Sequence, residues 1–297
     1  MRPSALRATR WGRSFVAEPA NADTSGTALV PRVLSIAGTD PTGGAGLFAD
    51  LKAISAMGGY GMGAITSIIA QNTTGVQGVY PQPVEVLRAQ LESISADVAI
   101  DAVKIGMLGE AETVRTVAAW LESERPPIVV MDPVMVATTG GKLSTDDATV
   151  ALVELARSVS IVTPNVPELG ILAGEDTAPG IDDVVRQATK AHEQLGVAVL
   201  ATTGDLEDAS HADILVTTSG GELSVVELPF TRVETPNTHG AGCSMSSALA
   251  TARVISEDWQ QAYARVRPWM DGALLGGLDL DVGKGSGPLD HNWYLHA

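Results

Sequence analysis

The chain of 297 residues is 45% hydrophobic, carries a formal net charge of −16 and has one cysteine. It can bury a large α/β core, but it cannot build a disulfide framework, and no Cys/His cluster has zinc spacing. Its acidity argues against nucleic acid or an anionic membrane surface as a partner, and no apolar run reaches the roughly 18 residues of a membrane span. A reducing compartment, the cytoplasm by default, suits the lone thiol.

The first 31 residues hold Arg2, Arg7, Arg10 and Arg13 against Glu18 and Asp23, with neither helical nor alternating periodicity. They are expected to be a disordered extension; an upstream-shifted start or an Arg-rich transit peptide are the alternatives. From residue 32 to 297 a single domain is expected. Residues 33–37 form an apolar strand that runs into a glycine-rich turn from Gly38 to Gly46 and then a helix over 47–57, with no Gly-Lys-Ser/Thr of a Walker A loop. Residues 64–70 read as one buried strand ending at Gln71. Helical spacing over 84–95 and 112–122 alternates with strands at 102–108 and 128–131, the first holding Met107 and the second ending at Asp132 and Val134.

The alternation continues with helices at 146–157, from 169, and at 182–195, and with strands at 160–163 and 197–201. That spacing predicts a doubly wound, mostly parallel sheet in a three-layer α/β/α fold. Asn165 and Glu168 stand three apart at a strand-to-helix corner, as a helix cap pair or as holders of a hydrated Mg²⁺. Strands at 214–217 and 223–228 flank Ser219-Gly220-Gly221, an antiparallel hairpin at the sheet edge. A last helix spans 259–275, and the loop 282–288 follows.

Between the hairpin and that last helix lies Asn237-Thr238-His239-Gly240-Ala241-Gly242-Cys243-Ser244, running into a small-residue helix. Two glycines before a helix allow backbone N–H groups to converge on an anion. Cys243 sits where the positive end of the helix dipole favours thiolate, so a lowered thiol pKa is expected. Two readings stand: a phosphate-holding loop with a cysteine base, or a Gly-rich cap with a small buried cysteine as filler.

The order of motifs resembles the ribokinase-like superfamily and, within it, the hydroxymethylpyrimidine/phosphomethylpyrimidine kinases of thiamine biosynthesis. The residues that carry the resemblance are Ile36-Ala37-Gly38-Thr39-Asp40-Pro41 with Gly43-Gly44-Ala45-Gly46, Asp50-Leu51-Lys52, Ala70-Gln71-Asn72-Thr73 and Lys104-Ile105-Gly106-Met107-Leu108. Thr163-Pro164-Asn165 with Glu168, Asn237-Thr238-His239-Gly240 with Gly242-Cys243, and Val282-Gly283-Lys284-Gly285 complete it. The resemblance implies ATP and Mg²⁺ as cofactors and a small pyrimidine as substrate. It also implies Cys243 as base, Gly240, Ala241 and Gly242 as anion hole, and Asp50, Gln71, Gly38, Val134 and Met107 around the pyrimidine. Asp132 and Glu168 would place the metal, with Asn165, Thr202 and Gly204 at the nucleotide, and a homodimer is the implied assembly.

Two positions depart from the family pattern. Thr202-Thr203-Gly204-Asp205 stands where the family usually has Lys-Gly-Gly-His, and Pro236 stands where a Lys is common. Both departures remove a cation from an already acidic body. The competing readings are a pyridoxal/pyridoxine kinase of the same fold and a degenerate homologue that binds a pyrimidine without catalysis.

Overall fold

The computed structural model describes residues 29–135, 146–206 and 211–296. In chain order the elements begin β1 (Arg32–Ala37), α1 (Gly46–Ala56), β2 (Tyr60–Ile65), β3 (Ser67–Asn72), β4 (Gly75–Pro81), α2 (Val84–Ser95), β5 (Ala102–Ile105), α3 (Ala111–Glu124) and β6 (Val129–Met131). They continue with α4 (Asp146–Leu155), β7 (Ile161–Val162), α5 (Val166–Ala173), α6 (Ile181–Leu195), β8 (Ala198–Ala201), β9 (Ala212–Ser219), β10 (Glu222–Pro229), α7 (Ala241–Val254) and α8 (Trp259–Gly276).

Alternation along the central strands sorts their side chains into two cores. Leu34, Ile36, Val103, Ile105, Val129, Met131, Val162 and Val199 join residues of α2 to α6 on one face. Their neighbours Val33, Ala102, Val130, Ile161, Ala198 and Leu200 join residues of α1, α7 and α8 on the other. Each large aliphatic side chain so buried contributes roughly 1.5–3 kcal/mol relative to exposure. Strands covered on both faces read as continuous apolar runs, which is why they were legible.

The main sheet has eight strands in the order β10-β9-β8-β7-β6-β5-β1-β2. The strands from β2 to β8 are parallel, and β9 and β10 close one edge antiparallel, the three-layer architecture expected. Because β1 lies between β2 and β5, the chain reverses its direction of growth there. This switch point opens a crevice outside the carboxyl ends of the strands.

The expected single strand over 64–70 is corrected: it is two strands in two sheets. At Thr66 the hydroxyl donates to the Met107 carbonyl at 2.7 Å and the N–H to Ala37 at 3.1 Å. After it the chain leaves the main sheet, and β3 pairs only with β4, a strand the periodicity did not announce. A polar residue satisfied by two loops ends one strand and starts the next. The expected 1–31 extension falls almost wholly outside the described residues, although the Pro31 carbonyl accepts the Tyr60 N–H at 2.7 Å.

Candidate active site

The carboxyl ends of β1, β5, β6, β7 and β8 lead directly into Gly38, Gly106-Met107, Asp132, Thr163-Pro164-Asn165 and Thr202, so the topology alone brings the expected residues to one crevice. The N-terminus of α7 faces it. Gly240 caps that helix at φ +82°, and a Cβ there would run into the Gly44 carbonyl oxygen, so only glycine fits. Ala241 commits its N–H to the Thr238 carbonyl at 3.0 Å. Of the three residues expected to form the anion hole it therefore offers least, and the helix's first-turn amides of Gly242 and Cys243 are the ones left to meet an anion.

Two histidines brace this loop. Ser244 Oγ bridges the Gly240 carbonyl at 2.7 Å and His291 Nε2 at 2.8 Å, and burial, helped by nearby Lys52, lowers the His291 pKa to about 4. On the other side His239 Nε2 meets Asp40 Oδ2 at 2.7 Å, with both residues buried. Asp40 further accepts from the Thr42 N–H (2.9 Å), the Thr42 hydroxyl (2.8 Å) and the Ala45 N–H (2.9 Å). Burial works against ionisation, but bonds from His239, Thr42 and, more weakly, the Gln71 amide outweigh it and hold the carboxyl at about 2.

Behind the loop lies a buried charged knot. Asp50, on α1, takes Lys104 Nζ at 2.8 and 2.9 Å, the Ser35 hydroxyl at 2.6 Å and the Ser247 hydroxyl at 2.9 Å. Asp50 and Lys104 are fully buried. The carboxylate of Asp50 is held from within by these partners.

Cys243 stands beside this knot, donates a hydrogen bond to Asp132 and receives one from the Gly46 N–H. Desolvation, with Asp132 and Asp50 adding to it and Lys104 opposing, pushes the thiol up to about 12. This corrects the expected thiolate: two carboxylates and burial outweigh the helix terminus.

Elsewhere in the crevice Gln71 and Met107 are buried. A register shift between Ala70 and Gln71 re-aims the side chain, as bulges beside sites do. The Gly38 carbonyl is committed to the Leu47 N–H at 2.8 Å, and the Val134 N–H donates to the Asp132 carbonyl at 2.8 Å. The β3–β4 ribbon that carries Gln71 is clasped by the loop after α8. Thr73 Oγ1 accepts from the N–H groups of Lys284 (3.1 Å) and Gly285 (3.2 Å), and a Cβ at residue 285 would strike the Thr73 carbonyl.

The remaining corner is acidic. Asn165 and Glu168 form a reciprocal capping box, Oδ1 accepting the Glu168 N–H at 2.9 Å and Oε2 accepting the Asn165 N–H at 3.1 Å, so the cap reading of that pair holds. Burial, with Asp132 second, raises Glu168 to about 8, and burial raises Asp132 to about 6 despite Lys104. Thr202 bridges to Asn165, Gly204 faces open space, and Thr203 is held by Asp213, whose Oδ1 accepts its N–H at 2.9 Å. Among the described residues no group of three or more His, Cys, Asp or Glu could hold a metal ion by itself. Two buried acidic side chains in one corner suit instead a hard cation that draws its other ligands from outside the protein.

Sequence reasoning gave no role to Asp40, Lys104 or His239. All three lie inside quoted motifs, but their partners are 199 and 54 residues away, and no local pattern reveals such pairing.

Comparison with known proteins shows the family. The phosphomethylpyrimidine kinase family matches residues 40–290. A thiamine biosynthesis multifunctional protein ThiED of Corynebacterium efficiens is 49% identical over 88% of this chain, which spans 35% of that protein's length. The hydroxymethylpyrimidine/phosphomethylpyrimidine kinase of Salmonella typhimurium is 42% identical over 87% of this chain and 96% of its own length. Among solved structures, an ADP complex of Bacillus subtilis pyridoxal kinase superposes with a TM-score of 0.78 at 31% identity, covering 91% of this chain and all of that one. With a ribokinase-like fold, an anion-ready helix terminus at the switch point and this match across most of its length, the chain belongs to the phosphomethylpyrimidine kinase family.

Proposed function

We propose that this chain transfers the terminal phosphoryl group of ATP to the hydroxymethyl oxygen of 4-amino-5-hydroxymethyl-2-methylpyrimidine, to its monophosphate, or to both, in thiamine biosynthesis. The observation that carries this reading is the N-terminus of α7, with Gly242 and Cys243 amides open to an anion and a thiol beside them, opposite a buried amide on β3. Gly38, Gln71, Met107 and Val134 line the ring, with Asp50 beneath, and Gly240, Ala241, Gly242 and Cys243 meet the phosphoryl group. Asn165, Thr202 and Gly204 hold the nucleotide.

The substrate oxygen attacks phosphorus as the bond to ADP breaks, and protein chemistry is confined to positioning and charge. Cys243, once its own proton has left to solvent, takes the hydroxyl proton at Sγ. Asp132 and Glu168 would hold Mg²⁺, since two buried acids whose proton affinities are raised together gain from a divalent cation. When bound, that ion neutralises phosphate charge. A reducing cytoplasm suits the free Cys243.

A pyridoxal kinase reading is kept by the Bacillus subtilis neighbour, and a binding protein without catalysis by Thr202 in place of the usual lysine. ADP release assayed with hydroxymethylpyrimidine, its monophosphate and pyridoxal separates the readings. Turnover with pyridoxal alone overturns the pyrimidine assignment, and turnover with none of the three leaves a binding protein. A homodimer is proposed as well, because Ile68 and Tyr80, paired across the ribbon, are exposed apolar side chains. Light scattering at the monomer mass would refute it.

A further inference from the structure

Asp40 lies within the site yet has no part in the transfer just described. Its carboxylate is buried and receives four close hydrogen bonds, from the Thr42 N–H and hydroxyl, the Ala45 N–H and His239 Nε2, at 2.7–2.9 Å. The Gln71 side-chain amide adds one more. Three separate pieces of the site therefore meet at one carboxylate: the turn after β1, the ribbon residue that reads the ring, and the loop that precedes the anion hole.

A carboxylate ionised in this way accepts hydrogen bonds and donates none. Gln71 can satisfy it only with its NH₂ group, which turns the amide oxygen toward the ligand. We propose that Asp40 is a specificity-determining and positioning residue: it fixes the polarity of the Gln71 amide so that the site reads a hydrogen-bond donor on the ring edge, and through His239 it ties that reading to the anion hole. The inference rests on the pyrimidine-kinase reading and deepens it. An exocyclic amine is such a donor, whereas a ring carbonyl at the same position presents an acceptor to an acceptor and leaves both unpaired.

Calorimetric binding tests this without turnover. The probes are 4-amino-5-hydroxymethyl-2-methylpyrimidine and its 4-oxo analogue, each titrated in the presence of ADP. The wild-type protein is expected to prefer the amine at least 10-fold. Asp40→Asn offers Gln71 an NH₂ as well as an oxygen, frees the amide to flip, and should reduce the preference to within 3-fold while ADP affinity stays within 2-fold. Gln71→Leu should remove the preference by itself, and adding Asp40→Asn to it should change the amine-to-oxo ratio no further. Steady-state kinetics of Asp40→Asn should show kcat falling 10-fold or more through the His239 arm, with KM for ATP unchanged.

An Asp40→Asn protein that folds and keeps the wild-type amine preference overturns the inference. If that variant does not fold, the wild-type titration decides: equal affinity for the two probes, or preference for the oxo form, overturns it. Failure of the wild type to bind either pyrimidine refutes the substrate reading instead, and that outcome is distinct from binding both alike.

Discussion

Two clusters of the crevice, one around Asp50, Asp40 and the α7 terminus and one at Asp132 and Glu168, are built on opposite electrostatic plans. At the first, buried charges are paired and cross-tied: Asp50 with Lys104 and two serine hydroxyls, Asp40 with His239, Gly240 with His291 through Ser244. At the second, Asp132 and Glu168 are buried with like charge, and each carboxyl holds its proton well above the ordinary range. The first cluster is stable with its own partners, whereas the second stores repulsion that a cationic ligand relieves. One crevice thus holds both a cluster fixed by its own partners and a cluster whose acids gain from a cation.

Substitution at Lys104 gives the sharpest contrast. Lys104→Met leaves the Asp50 carboxylate buried without its cation and should cost about 3–5 kcal/mol of stability, read by denaturant unfolding. The double variant with Asp50→Asn should recover much of that loss. A small loss in the single variant would mean that the paired end is not held as described.

Next in size is the chemical step. Cys243→Ser should lower kcat on the order of 10²-fold, as loss of a positioned base does, with both ligand affinities kept. Because burial drives the thiol toward about 12, iodoacetamide should alkylate Cys243 in the free protein more slowly than it alkylates a model thiol at pH 7.5. Rapid alkylation would restore the thiolate.

The acidic end responds to pH in the opposite sense to a salt-bridged acid. Glu168 keeps its proton to about 8 in the folded chain but to only about 4.3 when unfolded, so the folded state binds more protons between those values. Stability then falls as pH rises through that window. Glu168→Gln, which retains an acceptor for the capping box, should flatten the slope, and so should Mg²⁺ added to the wild type. Thermal melts from pH 5 to 9 check this, and a rising slope would contradict it. The smallest effect is expected from Thr202→Lys, which returns a cation to this corner and should raise kcat/KM a few-fold; no change would show that the corner does not need it.

Much of this was legible because the physics is local. Parallel strands buried on both faces announce themselves as apolar runs, and Asp132, Asn165 and Thr202 follow those runs by one to three residues, so fold and crevice could be read together. The hairpin at Gly220-Gly221 was equally plain. Residues 64–70 misled because a buried strand that changes sheets at Thr66 has the same apolar signature as one that does not. The pairing of Asp50 with Lys104 and the titration of Cys243 were beyond a sequence reading for another reason. Both depend on which charges meet across the fold, and a helix terminus that would lower a lone thiol's pKa is overruled by Asp132, Asp50 and burial.

The clasp on Thr73 has a consequence for how the protein is made. Its donors, Lys284 and Gly285, follow it by 211 and 212 residues, so during synthesis the ribbon bearing Gln71 waits, unfastened, until almost the whole domain has left the ribosome. A chain stalled before Gly285 would therefore carry the ribbon without its clasp, and the placement of Gln71 would wait on the synthesis of that loop.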